Sequence, residues 1–196
     1  MVVARARGQR APVADEAALV ARIRAGDEHA LETLFSAYAP DLLAFAYSRL
    51  GAREVAEDVV HDVFVAVWRG RERWELTGSL RAYLFTAVHH RIVNARRAAG
   101  RARRAEGTAV SGTALTDWRA RGAADDRLRE EDLARAAARA IDALPERNRD
   151  AYLLVRRHGL THAEAARVLG VSVKAIEAHM ARAVHALRVA LVDWWS

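Results

Sequence analysis

Glu57, Asp58, His61 and Asp62 crowd one short stretch, and His158 and His162 stand four positions apart. Both groups contain residue types that hold divalent cations. A closed metal site needs three or four ligands converging on one point. Gly159 and Thr161 put the histidine pair across a turn into a new helix, with no third ligand in view. His89 and His90 are neighbours and face different sides of a helix. The chain has no cysteine, which removes thiolate zinc, disulfides and thiol nucleophiles together. Neither a glycine-rich phosphate loop nor a nucleophile motif is present. The expectation is no metal, no cofactor and no enzymatic activity in this chain itself.

Chemistry directed at a polyanion is better supported. The 196 residues carry 31 Lys+Arg against 25 Asp+Glu, a formal +6. Lys174 is the single lysine and alanine is abundant, a bias expected of a GC-rich bacterial genome. The placement of the charge therefore says more than its total. From Leu76 to Ala105 there are seven arginines and no acid, interleaved with Tyr83, Phe85, His89, His90 and Asn94. Arginine for phosphates, with aromatic and amide groups for bases, grips single-stranded or melting DNA. Tyr83 and Phe85 cannot both point the same way on a helix, so at least one belongs to the core.

The preceding segment has the opposite character. Glu54, Asp58 and Asp62 recur every four residues with Glu57 beside them, an acidic stripe on one helix face. Val55, Val59, Val63, Phe64 and Val67 supply a core face, and Trp68 lies near the end. An acidic stripe repels DNA and suits a basic protein partner or plain solubility.

A third pattern is GLTHAEAARVLGVSVKAIEAHMARAVHALR, from Gly159 to Arg188. Thr161 and Glu164 form a capping box that opens a short helix from His162 to Leu169. Ala165, Ala166 and Leu169 are placed to pack inward. Gly170 suits a left-handed turn, and Ser172 caps a second helix whose apolar positions are Ile176, Met180, Ala183 and Leu187. Two helices so joined make a helix-turn-helix, whose second helix enters the DNA major groove. Its outward positions are Lys174, Ala175, Glu177, Ala178, Ala181 and Arg182. The cations suit phosphate or guanine, and Glu177 can accept from cytosine. The upstream LPERNRDAYLLVRRHG supplies a scaffold helix through Ala151, Leu154 and Val155, with Arg147, Arg149, Arg156 and Arg157 close by.

These residues need helices to hold them. The composition is 52% hydrophobic with three prolines, and apolar residues recur at helical rather than strand spacing. The pattern predicts an all-α protein of two helical domains joined by a flexible linker. Residues 1–14 read as a disordered basic arm. Residues 15–105 read as four helices, the first stopping at Gly26, the second running past Pro40 to Gly51, the third closing at Gly70 and the fourth starting at Leu80. Residues 106–126, rich in Gly, Ser, Thr and Ala, read as the linker, although Trp118 is unusual there. Residues 127–196 form the second domain, ending in Trp194 and Trp195. No apolar run approaches the roughly 20 residues of a membrane helix, and the start lacks the apolar core of a secretory signal. A soluble, cytoplasmic bacterial protein is expected.

Together the motifs resemble the extracytoplasmic-function type of RNA polymerase sigma factor in the sigma-70 family. LVARIRAGDEHALETLFSAYAPDLLAFA and AEDVVHDVFVAVWR resemble the opening and the polymerase-binding helix of the family's region 2. SLRAYLFTAVHHRIVNARR resembles its promoter-melting and minus-ten segment, and the chain from Leu144 to Arg188 resembles region 4, which reads the minus-thirty-five element.

The resemblance implies docking on the clamp coiled coil of the largest polymerase subunit through Asp58, His61, Asp62, Phe64 and Trp68. His61 departs from the commoner glutamine. Minus-ten contacts are implied at Thr77, Ser79, Arg81 and Tyr83, then at His90, Arg91, Asn94 and Arg97. The loop Leu76–Ser79 lies where the family captures a flipped base, without the usual asparagine or aspartate. Minus-thirty-five contacts are implied at Thr161, Ser172, Lys174, Glu177, Ala178, Ala181 and Arg182. The implied partners are the polymerase core, through its beta and beta-prime subunits, and promoter DNA, with an anti-sigma factor as a further candidate. A LuxR-type regulator is the alternative, since its helix-turn-helix would also fit LTHAEAARVLGVSVKAIEAHM; it leaves the upstream acidic and basic helices without a role.

Overall fold

The computed structural model describes residues 15–106 and 126–194. The expected arm over 1–14, nearly all of the expected linker over 106–126 with Trp118, and Trp195 lie outside the described residues. Among the described residues every regular element is helical. The chain divides into two compact units, one centred on the helices before residue 107 and the other on those after 125.

In the first unit, α1 spans Glu16–Arg24 and α2 spans Glu28–Leu50. Each opens on an aspartate cap: Asp15 accepts from the Ala18 N–H at 2.8 Å, and Asp27 from the Ala30 N–H at 3.2 Å. Such caps satisfy donors that a helix start leaves without partners. α2 continues through Pro40 and stops at Gly51, whose φ of 71° ends the helix in the left-handed region. Then come α3, Arg53–Arg69, a 3₁₀ turn at Arg71–Arg73, and α4, Leu80–Glu106. Ser79 caps α4 by accepting from the Ala82 N–H at 3.2 Å.

The core of this unit is drawn from all four helices: Ile23, Leu34, Leu42, Phe45, Val63, Leu84, Phe85 and Ile92 are buried. Phe45 and Phe85 meet edge to face, 5.4 Å between centroids, a contact of about 0.5–1.5 kcal/mol beyond area burial. Phe85 is thus the core aromatic of the Tyr83/Phe85 pair. Val55, expected in the core, is 42% exposed. Ala56, Val59, Val60, Val63 and Val67 take the buried seam instead, at spacings of three and four residues. Val55 falls off that seam.

The second unit holds α5, Asp126–Asp142, α6, Glu146–Tyr152, α7, His162–Leu169, and α8, Val173–Ala190. After α6 the backbone widens over Leu153–Arg157, where the His158 N–H donates to the Leu153 carbonyl at 2.9 Å. Leu154, Leu160, Ala165, Ala166, Ile176 and Met180 are buried. Leu144, Ala183 and Leu187 form a cluster joined by Ala140, Ile141 and Tyr152. Leu169 is only half-buried, whereas Val168 is buried. Val168 shares a face with Ala165 three residues earlier, so it takes the inward position predicted for Leu169.

Candidate polymerase and nucleic-acid interfaces

The acidic face of α3 is solvent-accessible: Glu54, Asp58, His61 and Asp62 are exposed. Two of the acids on this helix are partly neutralised. Glu57 lies 2.7 Å from Arg53 Nε, and Asp62 Oδ2 accepts from Arg91 Nη1 at 3.1 Å. Trp68 is half-buried beneath the Arg71 guanidinium, 4.4 Å from the ring centroid. Arg71 also donates to the Trp68 carbonyl at 2.9 Å, which fixes the pair.

Phe64, predicted as a docking residue, is buried. It props Phe35 of α2 at 4.9 Å between centroids, and Phe35 is 46% exposed. The aromatic surface beside α3 therefore belongs to Phe35, a residue the sequence reading missed. The signal lay in Leu34–Phe35: two adjacent apolar residues on a helix cannot share one face.

The basic helix divides into residues facing outward and residues committed internally. Thr77, His90, Asn94 and Arg97 are exposed. Ser79 is half-buried, its hydroxyl spent on the α4 cap. Arg81, predicted as a DNA contact, points inward. Its Nη1 lies 2.9 Å from Asp41 Oδ2, with side chains 15% and 25% exposed, and its guanidinium sits 5.3 Å from the Tyr38 centroid. Tyr38 donates to Glu16 Oε1 at 2.9 Å, and Glu16 Oε2 accepts from the Leu80 N–H at 2.9 Å. One carboxylate thereby links α1, α2 and the start of α4. Burial, then the bond to Glu16, pushes the Tyr38 phenol well above its ordinary value. Arg91 is held by Asp62, through both its side chain and its carbonyl.

Tyr83 is half-buried against Trp74, 5.4 Å between centroids, and burial pushes its phenol upward. The two rings, with Ala66, Val67, Gly70, Arg73 and Glu75, line a cavity of about 280 Å³. The Trp74 side chain is buried and its Nε1–H has no hydrogen-bond partner. A buried donor left without an acceptor is costly. This cavity immediately precedes the predicted Leu76–Ser79 loop.

In the second unit both predicted caps form. Thr161 Oγ1 accepts from the Glu164 N–H at 3.2 Å while Glu164 Oε2 accepts from the Thr161 N–H at 2.8 Å. Ser172 Oγ accepts from the Ala175 N–H at 3.2 Å, and Gly170 has φ 65°. Lys174, Glu177, Ala178, Ala181 and Arg182 are exposed along α8. Arg182 Nη2 lies 3.0 Å from His179 Nδ1, and the same nitrogen lies 2.8 Å from Oδ1 of Asn148 on α6. Burial, then the charges of Arg182 and Arg147, hold the His179 imidazolium below its ordinary range. Neither Asn148 nor His179 was singled out in the sequence. Arg147, Arg156 and Arg157 are exposed, while Arg149 donates to the Asp142 carbonyl at 3.0 Å.

Family models match both units. The Sigma-70 region 2 family model matches residues 34–102, and the Sigma-70 region 4 model matches residues 134–187. The chain is 32% identical over 183 residues to the extracytoplasmic-function sigma factor ShbA of Streptomyces griseus, covering 87% of this chain and 92% of that one. It is 32% identical over 174 residues to the RNA polymerase sigma factor CnrH of Cupriavidus metallidurans, covering 84% and 88%. The solved structure of CnrH with the cytosolic domain of CnrY superposes with a TM-score of 0.60 at 27% identity, covering 91% of this chain and 97% of that one. A LuxR-type regulator is not favoured, because the match extends over the acidic and basic helices upstream of the helix-turn-helix. The chain belongs to the extracytoplasmic-function RNA polymerase sigma factors of the sigma-70 family, which direct bacterial RNA polymerase to promoters.

Proposed function

We propose that this chain divides promoter recognition between its two units and leaves all catalysis to the polymerase. Residues 15–105 act as region 2, 106–126 as the tether and 127–196 as region 4. On this reading Asp58, His61 and Asp62, flanked by Trp68 and Phe35, dock on a basic surface of the polymerase core. His90, Asn94 and Arg97 face the minus-ten element, and Lys174, Glu177 and Arg182 face the minus-thirty-five element. The observation that carries it is the exposed acidic face of α3 beside the basic α4 in one unit, with a capped helix-turn-helix in the other. An acidic face belongs on protein and the basic helix on DNA. Two DNA-facing units on one tether gain by effective concentration.

The Trp74 cavity fits one further step. At about 280 Å³ it lies just below the size of ordinary small-ligand pockets, about 300–1,000 Å³. It offers two aromatic rings to a base turned out of the duplex. The chain works in the cytoplasm, where its polymerase is; none of the described helices is long and apolar enough to cross a membrane. CnrH is solved with the cytosolic domain of CnrY, and a protein partner of that kind is a further candidate for this chain.

A mobility shift with and without core polymerase tests the division of labour. Specific promoter binding is expected only with core. Tight, sequence-selective binding by the chain alone would overturn it.

A further inference from the structure

Arg182 is the largest cation on the outward face of α8, yet its guanidinium rests against a neighbouring side chain. His179 lies one turn earlier and turns Nδ1 toward Arg182 Nη2 at 3.0 Å. The same nitrogen faces Asn148 Oδ1 of α6 at 2.8 Å, and Asn148 is buried. Arginine only donates, so a bond from Arg182 requires an unprotonated Nδ1 with its lone pair exposed. That places the ring proton on Nε2 and turns the Asn148 amide so that its N–H₂, rather than Oδ1, meets Nδ1, whose one lone pair the two donors then share. Protonation of Nδ1 reverses the arrangement: the new N–H donates to the Asn148 carbonyl and Arg182 is repelled.

We infer that His179 is a positioning residue for Arg182, the neutral imidazole anchored on Asn148 holding the guanidinium in one place on the outward face of α8. The inference rests on the reading of α8 as the helix that meets upstream promoter DNA. A flexible arginine loses side-chain entropy when it binds phosphate or a base edge, and one already held loses less. The charged groups facing the ring are Arg182 on its own helix and Arg147 on α6. Both are cations and both favour the neutral ring. A held Arg182 contributes selectivity at neutral pH; below the titration of His179 it swings free and contributes charge without selectivity.

The test uses holoenzyme carrying wild-type chain, His179→Ala, His179→Asn, Arg182→Ala and the double variant His179→Ala/Arg182→Ala. Affinities for matched and mismatched upstream elements are measured at pH 8 and at a pH below the His179 titration, which ring ¹⁵N spectra locate. At pH 8, His179→Ala should lose on the order of tenfold in discrimination, as Arg182→Ala does, with the double variant no worse than either. His179→Asn, whose Oδ1 stands near the Nδ1 position and does not titrate, should restore discrimination and keep it at the lower pH. Wild type should lose it there. Additive losses in the double variant, or equal discrimination by His179→Ala and wild type, overturn the inference.

Ring ¹⁵N spectra of the free full chain separate this from the reading of α8. They should show Nδ1 unprotonated at pH 8 and a His179 titration that moves upward in Arg182→Ala. If that holds while Arg182→Ala leaves DNA binding unchanged, the assignment of α8 to DNA fails and the contact stands.

Discussion

Arg91 of α4 reaches back to Asp62 of α3, its Nη1 3.1 Å from Oδ2 and its Nη2 3.1 Å from the carbonyl oxygen of the same residue. A residue assigned to DNA thus neutralises one assigned to polymerase. The pair is exposed, so its contribution to stability is small, within about 1 kcal/mol. On the proposed docking, this pairing leaves Asp58 as the stronger charge. Asp58→Arg should lower core association more than Asp62→Ala, and the double change Asp58→Arg/Asp62→Arg should abolish it with helicity unchanged. Asp62→Ala should also release Arg91 and raise non-specific DNA binding. Pull-down with core and circular dichroism read these outcomes; unchanged pull-down by the double variant removes α3 from the interface.

Arg81 shows the converse. Its ion pair with Asp41 is largely buried and its guanidinium covers Tyr38. Removing one partner of such a pair leaves the other charge uncompensated. Arg81→Ala should destabilise the chain by about 1–3 kcal/mol, the cost of leaving the part-buried Asp41 carboxylate without its partner, seen as a lower urea midpoint, while the salt slope of DNA binding by holoenzyme stays the same. A slope reduced by about one unit at unchanged stability is the signature of a phosphate contact and would return Arg81 to the DNA surface.

The fold was legible because caps, glycine stops and helical periodicity agree along the chain: Asp15, Asp27, Thr161 and Ser172 each cap the helix they precede. The site was legible only as charge. Sequence places Arg81 and Arg91 in a basic run, but acids 40 and 29 residues earlier pair with both, Arg81 inward and Arg91 at the surface, and no local pattern announces a long-range pair. Phe64 and Phe35 exchange roles for a related reason. Which of two aromatics on different helices is covered depends on how the helices pack, not on either helix's own periodicity. The link from Asn148 to His179 likewise joins residues 31 apart.

Tyr38 predicts a response to alkali. Its folded pKa lies above the ordinary value of 10, chiefly through burial and then through Glu16, so the folded state holds the phenol proton more tightly than the unfolded chain. The resulting stability is fully present below pH 10 and is lost as pH rises through the folded value. Tyr38→Phe keeps the ring under Arg81 but removes the O–H. It should cost about 1 kcal/mol at neutral pH and flatten the decline in thermal midpoint above pH 10. An undiminished alkaline decline in Tyr38→Phe assigns that loss to other groups.

The Trp74 cavity makes a prediction that separates function from stability. Trp74→Phe removes a buried donor that has no acceptor, a relief of about 1–3 kcal/mol that offsets the lost indole volume. Thermal stability should change little. Open-complex formation, read by permanganate reactivity of unpaired thymines, should fall if the cavity takes a base. Wild-type reactivity in this variant would show that the indole contributes nothing to strand opening.

Lys174 and Glu177 separate grip from reading on α8. Both are exposed on the outward face, with Ser172 capping the helix start and Ile176 and Met180 fixing its buried side. A lysine at a helix start is a point charge suited to phosphate, carrying no sequence information. Lys174→Ala should weaken holoenzyme binding about equally on all upstream sequences and reduce the salt slope by about one unit. Glu177 can accept from the amino group of a cytosine, so Glu177→Gln should alter which upstream sequences are preferred, by about 1–3 kcal/mol per discriminated base pair, with little change in salt slope. Selection from a library randomised upstream reads both effects at once. If both variants select the wild-type sequences at wild-type affinity, α8 does not touch DNA, and the caps and glycine turn that orient it serve packing alone.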